Sequence, residues 1–440
     1  MVLHEDRSRV EQAQEIDRLV RSLKRARRET DELFRIVRED AIFERPIEER
    51  HRIVFYLGHL EAFDRNLLSA FGLDVDSAEP FLDRLFAFGI DPVGGGLPTD
   101  APSDWPSLAE IRRYVRVTRQ HVDDRLDREI ANAAQGVKAL NIAVEHRLMH
   151  AETLSYMFHW LPAERKVDGP VEADMRAPSR STTRQFVPSG KATLGRPQGF
   201  GWDNEFPEQV RHVPAFLVDR TKVTNSQFLA FVEAGGYADS SLWSASDWEW
   251  RERESLSHPR FWLRGPAGWR YRTMFGDVPL PADWPVYVSH AEAKAFARWL
   301  NARLPTEEEY HRAAFGTPEG TEREYPWGSA DPSPRHGNFG SQRWNPTGVG
   351  AYPAGDSAFG LTDVVGNGWE WTSTPFGPFD GFEPSAFYPG YSADFFDGKH
   401  YVLKGASMRT APVLLRRSFR NWFQGQYPRI YAGFRCVVSA

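Results

Sequence analysis

The sequence predicts a chain of class α plus α+β, with a four-helix bundle over residues 1–162, a linker over 163–195 and a mixed domain over 196–440. Three observations predict it. Apolar residues in the first 160 positions recur at helical spacing. Thirteen of the 15 tryptophans lie after residue 196, among glycines, prolines and short β-prone runs. Between the two halves runs a polar stretch containing Pro and Ser, VDGPVEADMRAPSRSTTRQ, of the kind that crosses between domains. A length of 440 residues is also more than one core usually serves.

In the first helix Ile16, Leu19, Val20 and Leu23 fall at i, i+3, i+4 and i+7, giving one apolar stripe on a charged segment. A second helix runs from about Glu48 to Phe71 and turns Phe55, Tyr56, Leu60, Phe63 and Leu67 inward. Asp91 to Pro106, rich in Gly and Pro, reads as a long loop. Ser107 opens a third helix, with Glu110 completing a capping box and Leu108, Ile111, Val115, Val122, Leu126 and Ile130 as its stripe. A fourth carries Leu140, Ala143, Met149, Leu154 and Met157 before Pro162 ends it. Four amphipathic helices of this length bury their stripes against one another as a bundle. In the second domain only Asn225–Ala234 and His290–Ala302 look helical. The rest reads as short strands joined by long irregular loops around an aromatic core.

The composition narrows the function classes. With 54 basic against 60 acidic residues and no long basic run, nothing predicts a nucleic-acid footprint. The opening MVLHEDRSRVEQAQEIDRL is too charged for a signal peptide, and no apolar run approaches membrane-spanning length. A single cysteine, Cys436, excludes an intrachain disulfide; it reads as a small buried hydrophobe, and the expected location is cytoplasmic.

The residues that carry chemistry lie on the inward faces of the bundle. His146 and His150, spaced i, i+4, project from one face of the fourth helix among Ala143, Met149, Leu154 and Met157. His59 faces inward on the second helix between Tyr56 and Phe63. Three imidazoles in an apolar core are costly unless something satisfies their nitrogens, and a divalent metal does so. Three neutral histidines leave coordination positions open for catalysis. Zinc fits this ligand set as well as iron.

The motif GHLEAFD (58–64), followed by EHRLMHAETLSYMFH (145–159), resembles the DinB-type bundle of the ergothioneine and ovothiol sulfoxide synthases. The second half is similar to their partner domain, of formylglycine-generating-enzyme (sulfatase-modifying factor) or C-type-lectin-like fold. The resemblance runs through FGWDNE (200–205), VTNSQFLAFVEAGGY (223–237), WPVYVSHAEAKAFARWLNARLPTEEEY (284–310), GNGWEWTSTPF, DFFDGKHYVLKGAS (394–407) and SFRNWFQ (418–424). It implies that His59, His146 and His150 hold Fe(II), that O2 is a co-substrate, and that the acceptor is hercynine, the Nα-trimethyl betaine of histidine. It further implies that Asn421 and Trp422 meet the trimethylammonium, which suits an aromatic face and a carbonyl dipole because a quaternary cation forms no hydrogen bonds. The bundle is expected to supply the metal and the second domain most of the substrate walls, with the active site where they meet. Formylglycine-generating enzymes themselves work through two cysteines, and this chain has one.

The chain departs from relatives that use γ-glutamylcysteine at three positions. Phe423 stands where they have an aspartate after the Asn-Trp pair, Trp105 stands before Pro106 where they have an arginine, and Met149 replaces a glutamine that helps hold hercynine. The first two changes remove charge-assisted contacts of roughly 1.5–3 kcal/mol each. A site lined by Trp105, Phe376, Phe379 and Phe423 suits the C–H face of a neutral sugar, as in the branch of similar enzymes that makes selenoneine from a selenosugar. Other relatives use free cysteine and also carry phenylalanine after Asn-Trp. The stretch TPFGPFDGF (374–382) has phenylalanines where relatives place an acid tyrosine, leaving Tyr388, Tyr391 and Tyr401 as candidate proton donors. The long ovothiol enzymes add a methyltransferase domain, whereas this sequence stops at Ala440.

The expectation is therefore a non-haem Fe(II), O2-dependent enzyme that joins selenium from a selenosugar to the imidazole of hercynine. The alternative is sulfur transfer from cysteine or γ-glutamylcysteine. A zinc-dependent DinB-type thiol transferase and a non-catalytic lectin-like binding module are the readings from other classes.

Overall fold

The computed structural model describes residues 2–73, 75–88, 97–128, 135–171, 183–388 and 390–440. The chain divides into two compact units, Met1–Gly169 and Pro170–Ala440. The first contains α1 (Val2–Phe34), α2 (Ile53–Ala70), α3 (Pro80–Phe88), α4 (Leu108–Arg128) and α5 (Gly136–His159). Helix α1 packs along α5, while α2 packs against α3, α4 and α5.

Most of the stripes are where periodicity put them. Ile16, Leu19 and Leu23 are buried on α1, and Val20 sits at the edge of the stripe. Helix α2 starts at Ile53 rather than near Glu48, because Arg52 is extended (φ −60°, ψ 154°) with its guanidinium tied to the Phe43 carbonyl at 2.7 Å and to Asp100 at 2.8 Å. Ser107 and Glu110 form the anticipated box, Glu110 accepting from the Ser107 N–H at 2.9 Å. On α4 the buried line is Ile111, Tyr114, Thr118, Val122 and Leu126; Leu108 and Val115 lie at its margin, and Ile130 lies outside the described residues. Part of the Asp91–Pro106 loop, residues 91–96, is likewise outside them. Helix α3 was not anticipated: its nine residues are too few to establish a period.

In the second unit β1 (Arg184–Val187) and β2 (Gly190–Leu194) already form inside the stretch read as linker, of which residues 172–182 lie outside the described set. There follow β3 (Gln209–Val213), β4 (Phe216–Asp219), α6 (Asn225–Glu233), α7 (Ala245–Arg253), β5 (Trp262–Gly265), β6 (Gly268–Arg272), β7 (Asp277–Pro279), α8 (His290–Trp299) and α9 (Glu307–Phe315). The chain ends with β8 (Gly368–Pro375), β9 (His400–Ala406), β10 (Asn421–Gln424), β11 (Ala432–Gly433) and β12 (Val437–Ser439). Small sheets of order β1-β4-β12, β10-β9-β8-β11, β2-β3 and β5-β6-β7 replace any large one.

Two helices, α7 and α9, correct the expectation of only two helical segments. Both are started by side-chain caps, Ser244 and Thr306, and Glu309 reaches back to the Thr306 N–H at 2.9 Å. One core cluster joins Val187, Val213, Phe216 and Val218 to Tyr310 and Phe315 of α9 and to Val437. Cys436 is fully buried, as expected of a small hydrophobe, and burial pushes its thiol well up. Among the described residues no helix is long and apolar enough to cross a membrane.

Glu370, in the GNGWEW motif on β8, anchors the four-stranded sheet. It accepts from Arg435 at 2.6 and 2.8 Å and from Lys222 at 2.8 Å, all three groups being buried. Arg435 also donates to the carbonyls of Asp219, Arg220 and Thr362, each at 3.0 Å. Burial alone would raise the Glu370 pKa, but the two cations outweigh it and hold the carboxyl below its ordinary value.

Candidate functional site

Helices α2 and α5 bring His59, His146 and His150 together, one ligand atom from each lying within 4.8 Å of the others. Ring centroids are 4.5 Å apart for His146–His150, 5.0 Å for His59–His150 and 5.4 Å for His59–His146. His146 is buried; the other two keep some accessible surface, which leaves the cluster an open side. Burial lowers the His59 pKa to about 4 and those of His146 and His150 well below 6.5, so each ring is neutral and keeps a lone pair. The Nδ1 atoms of His146 and His150 are buried without a hydrogen-bond partner, whereas His59 Nδ1 lies 2.7 Å from the Phe86 carbonyl. These three residues could hold a divalent metal, because the chemistry of the donor set matches and no protein group already saturates it.

Aromatic rings fix the imidazole planes. Phe63 stacks on His146 at 3.3 Å and 8°, and Phe55 on His59 at 4.7 Å and 27°. Behind them lies a charge network that motif reading missed. Arg147, one residue beyond His146 and so about 100° around α5, donates to Asp64 at 2.7 Å and to the Leu60 carbonyl at 2.8 Å, and approaches Glu61 at 3.1 Å. Arg119 of α4 bridges Glu61 (2.7 Å) and Asp31 of α1 (2.7 Å). Arg27 of α1 meets Asp64 at 3.4 Å and Asp123 of α4 at 2.5 Å. All four long helices are thus tied together immediately behind the ligands. Burial pushes Glu61 up, but Arg147, Arg27 and Arg119 outweigh it and hold its carboxyl below the usual carboxylate range. The sequence signal was available: an arginine and two acids at inward positions of facing helices need one another.

In the second unit the candidates split between the two faces of the edge strand β10. Trp422 stacks on Phe376 at 4.3 Å and 5°, meets Tyr391 edge-on at 5.3 Å and lies 5.7 Å from Phe395. Arg420 lies over both Phe376 and Phe379, 5.1 and 4.3 Å from their ring centres. Asn421 Oδ1 accepts from the Trp422 N–H at 2.9 Å. Phe423 stands on the opposite face, stacked on Tyr427 at 5.6 Å and paired in register with Tyr401, whose ring stacks on His290 at 3.7 Å. Of the three tyrosines, Tyr391 adjoins Trp422; Tyr388 is 44% exposed, and Tyr401 belongs to the Phe423 side.

Two candidates from the first unit have a different character. Met149 lies half-buried on α5, one residue before His150. Trp105 is not an open ring: it is 6% exposed, donates its indole N–H to Asp100 at 2.7 Å, and packs against Phe55 and Phe86 at 6.3 and 6.2 Å. Asp100 is in turn held by Arg45 and Arg52, which fix the ring inward.

Residues 22–154 match the DinB superfamily and residues 171–440 the sulfatase-modifying factor enzyme 1-like domain. A hercynine oxygenase from Mycobacterium tuberculosis is 46% identical over 236 residues, 53% of this chain and 55% of that protein. Another from Mycolicibacterium thermoresistibile is 37% identical over 369 residues, 81% of this chain and 80% of its own length. Ergothioneine biosynthesis protein 1 of Neurospora crassa is 27% identical over 91% of this chain and 55% of that protein. With its DinB helical domain followed by a sulfatase-modifying factor domain, and with that degree of identity over most of its length, the chain belongs to the family of the hercynine oxygenases.

Proposed function

We propose that this protein is a non-haem Fe(II) oxygenase that forms a carbon–chalcogen bond on the imidazole of hercynine, with a selenosugar as donor. The observation that carries the reading is the convergence of His59, His146 and His150 in a chain of the hercynine oxygenase family. Bound iron would activate O2 and gather the reactants. The protein's own residues do the remainder. The three imidazoles stay neutral and are held in fixed planes by Phe55 and Phe63. Trp422, backed by Phe376, offers an indole face to the trimethylammonium, while Asn421 commits its Oδ1 to the Trp422 backbone N–H. Tyr391 is the proton donor best placed relative to Trp422.

The donor preference rests on uncharged residues. Phe423 carries no group that would pair with a peptide carboxylate, while Trp105, Phe376 and Phe379 leave this set because all three rings are enclosed. A neutral sugar needs no such partner. The test is anaerobic reconstitution with Fe(II), then O2 uptake with hercynine plus selenosugar, cysteine or γ-glutamylcysteine, with products read by mass spectrometry. Hercynine-dependent uptake yielding a selenium-bearing imidazole is expected. Uptake with a thiol alone would overturn the donor; bound zinc and no uptake with any donor would overturn the oxygenase reading in favour of a thiol transferase.

A further inference from the structure

We infer that α3 is a clamp on one metal ligand: Phe86, seated against Gly58 and held by Trp105 and Tyr114, positions its carbonyl so that His59 is fixed as the Nδ1–H tautomer with Nε2 free for the metal. This rests on the reading of the three histidines as metal ligands and concerns positioning residues that do not themselves touch the ion.

The seat is tight. A Cβ added at Gly58 would come within 2.4–2.5 Å of three Phe86 ring carbons, so only glycine lets α3 approach α2 at this point. Gly58 directly precedes His59, and the fully buried Phe86 ring rests 6.2 Å from that of Trp105 and 5.4 Å from that of Tyr114. The other end of α3 is anchored by Asp83, which accepts from the Tyr114 hydroxyl at 2.7 Å and from Ser77. The result is a 2.7 Å contact between His59 Nδ1 and the Phe86 carbonyl. A carbonyl only accepts, so the ring nitrogen facing it must carry the proton. His146 and His150 have no equivalent acceptor on Nδ1, so the clamp acts on one ligand of the three. It also gives Trp105 a role: its ring closes the seat of Phe86.

The test uses the full chain loaded with zinc or cobalt(II). Metal affinity is measured by chelator competition, and the His59 ring proton is followed in 15N-histidine-labelled protein. Gly58→Ala should weaken metal binding about 10- to 100-fold, as loss of an outer-shell partner does, and should abolish one slowly exchanging Nδ1 proton. Tyr114→Phe, which removes one of the two donors to Asp83 and keeps every ring, should weaken binding a few-fold and speed exchange of the same proton. A merely structural role would lower Tm in both variants with affinity within twofold and the ring proton retained, and that would overturn the inference. If Gly58→Ala does not fold, Tyr114→Phe decides alone. Failure of the parent protein to bind any divalent metal would instead overturn the metal reading.

Discussion

Around Glu370 in the second unit, both carboxylate oxygens receive donors from Arg435 and Lys222, and the Arg435 donors left over reach three backbone carbonyls. Around His146 and His150 in the bundle, the neighbouring Arg147–Glu61–Asp64 network is also buried, yet the imidazoles keep Nδ1 atoms without partners. Both regions bury several polar groups within a few residues of a conspicuous motif. The difference is closure. A closed network does architectural work, and its members are poor candidates for chemistry although GNGWEW is as eye-catching as EHRLMH. An open cluster of neutral lone pairs has capacity left for a ligand.

Four substitutions would break or sharpen this contrast. The largest effect is expected from His146→Ala, which should abolish stoichiometric metal binding in elemental analysis; the metal-free variant should fold with a lowered Tm, since a cavity replaces the ring stacked on Phe63. Bound metal in the variant at parental affinity would show that the cluster is not the site. Arg147→Met should cost up to about 3–5 kcal/mol, because Glu61 and Asp64 lose a buried counter-charge and keep only Arg27 and Arg119. Denaturant unfolding would register that loss, and metal affinity should fall with it because α2 and α5 lose their register.

Glu370→Gln, comparable in its effect on stability, should leave metal affinity unchanged; a matching loss of metal would erase the distinction between the two networks. The smallest effect is expected from Trp422→Phe. It keeps an aromatic face of weaker quadrupole, so hercynine affinity, read by calorimetry, should drop by no more than the roughly 0.5–2 kcal/mol of a cation–π contact. No change would remove Trp422 from the cation site.

Much of this was legible in residue order. The i, i+4 histidines, the inward His59 and the Ser107 cap follow from helical geometry, and the structure brings the three imidazoles together. What escaped is what depends on partners distant in sequence. Helix α3 has too few residues to show a period, yet it provides the His59 acceptor. Trp105 reads as a pocket ring until Asp100, Arg45 and Arg52 are seen to draw it inward. Strand alternation puts Phe423 on the face of β10 opposite Trp422 and its partner Phe376, splitting a set of rings assigned to one donor. The start of α9 was recoverable: Thr306 and Glu309 spell a capping box.

The bracing of α2 against α5 has a consequence for metal supply. Arginine–carboxylate contacts on the back of both helices set their rotation before any ion arrives, so the ligand cage is formed by folding alone. A preformed set of three nitrogens captures an ion without reorganising, and it discriminates poorly among first-row dications whose affinities for such donors rise from iron towards copper. If the three histidines hold a metal as proposed, its identity is then decided by what the surrounding medium offers. On the proposed iron reading, protein made in a zinc-rich, aerobic culture should emerge loaded with zinc, and only its inactivity after exchange to Fe(II) would bear on the chemistry.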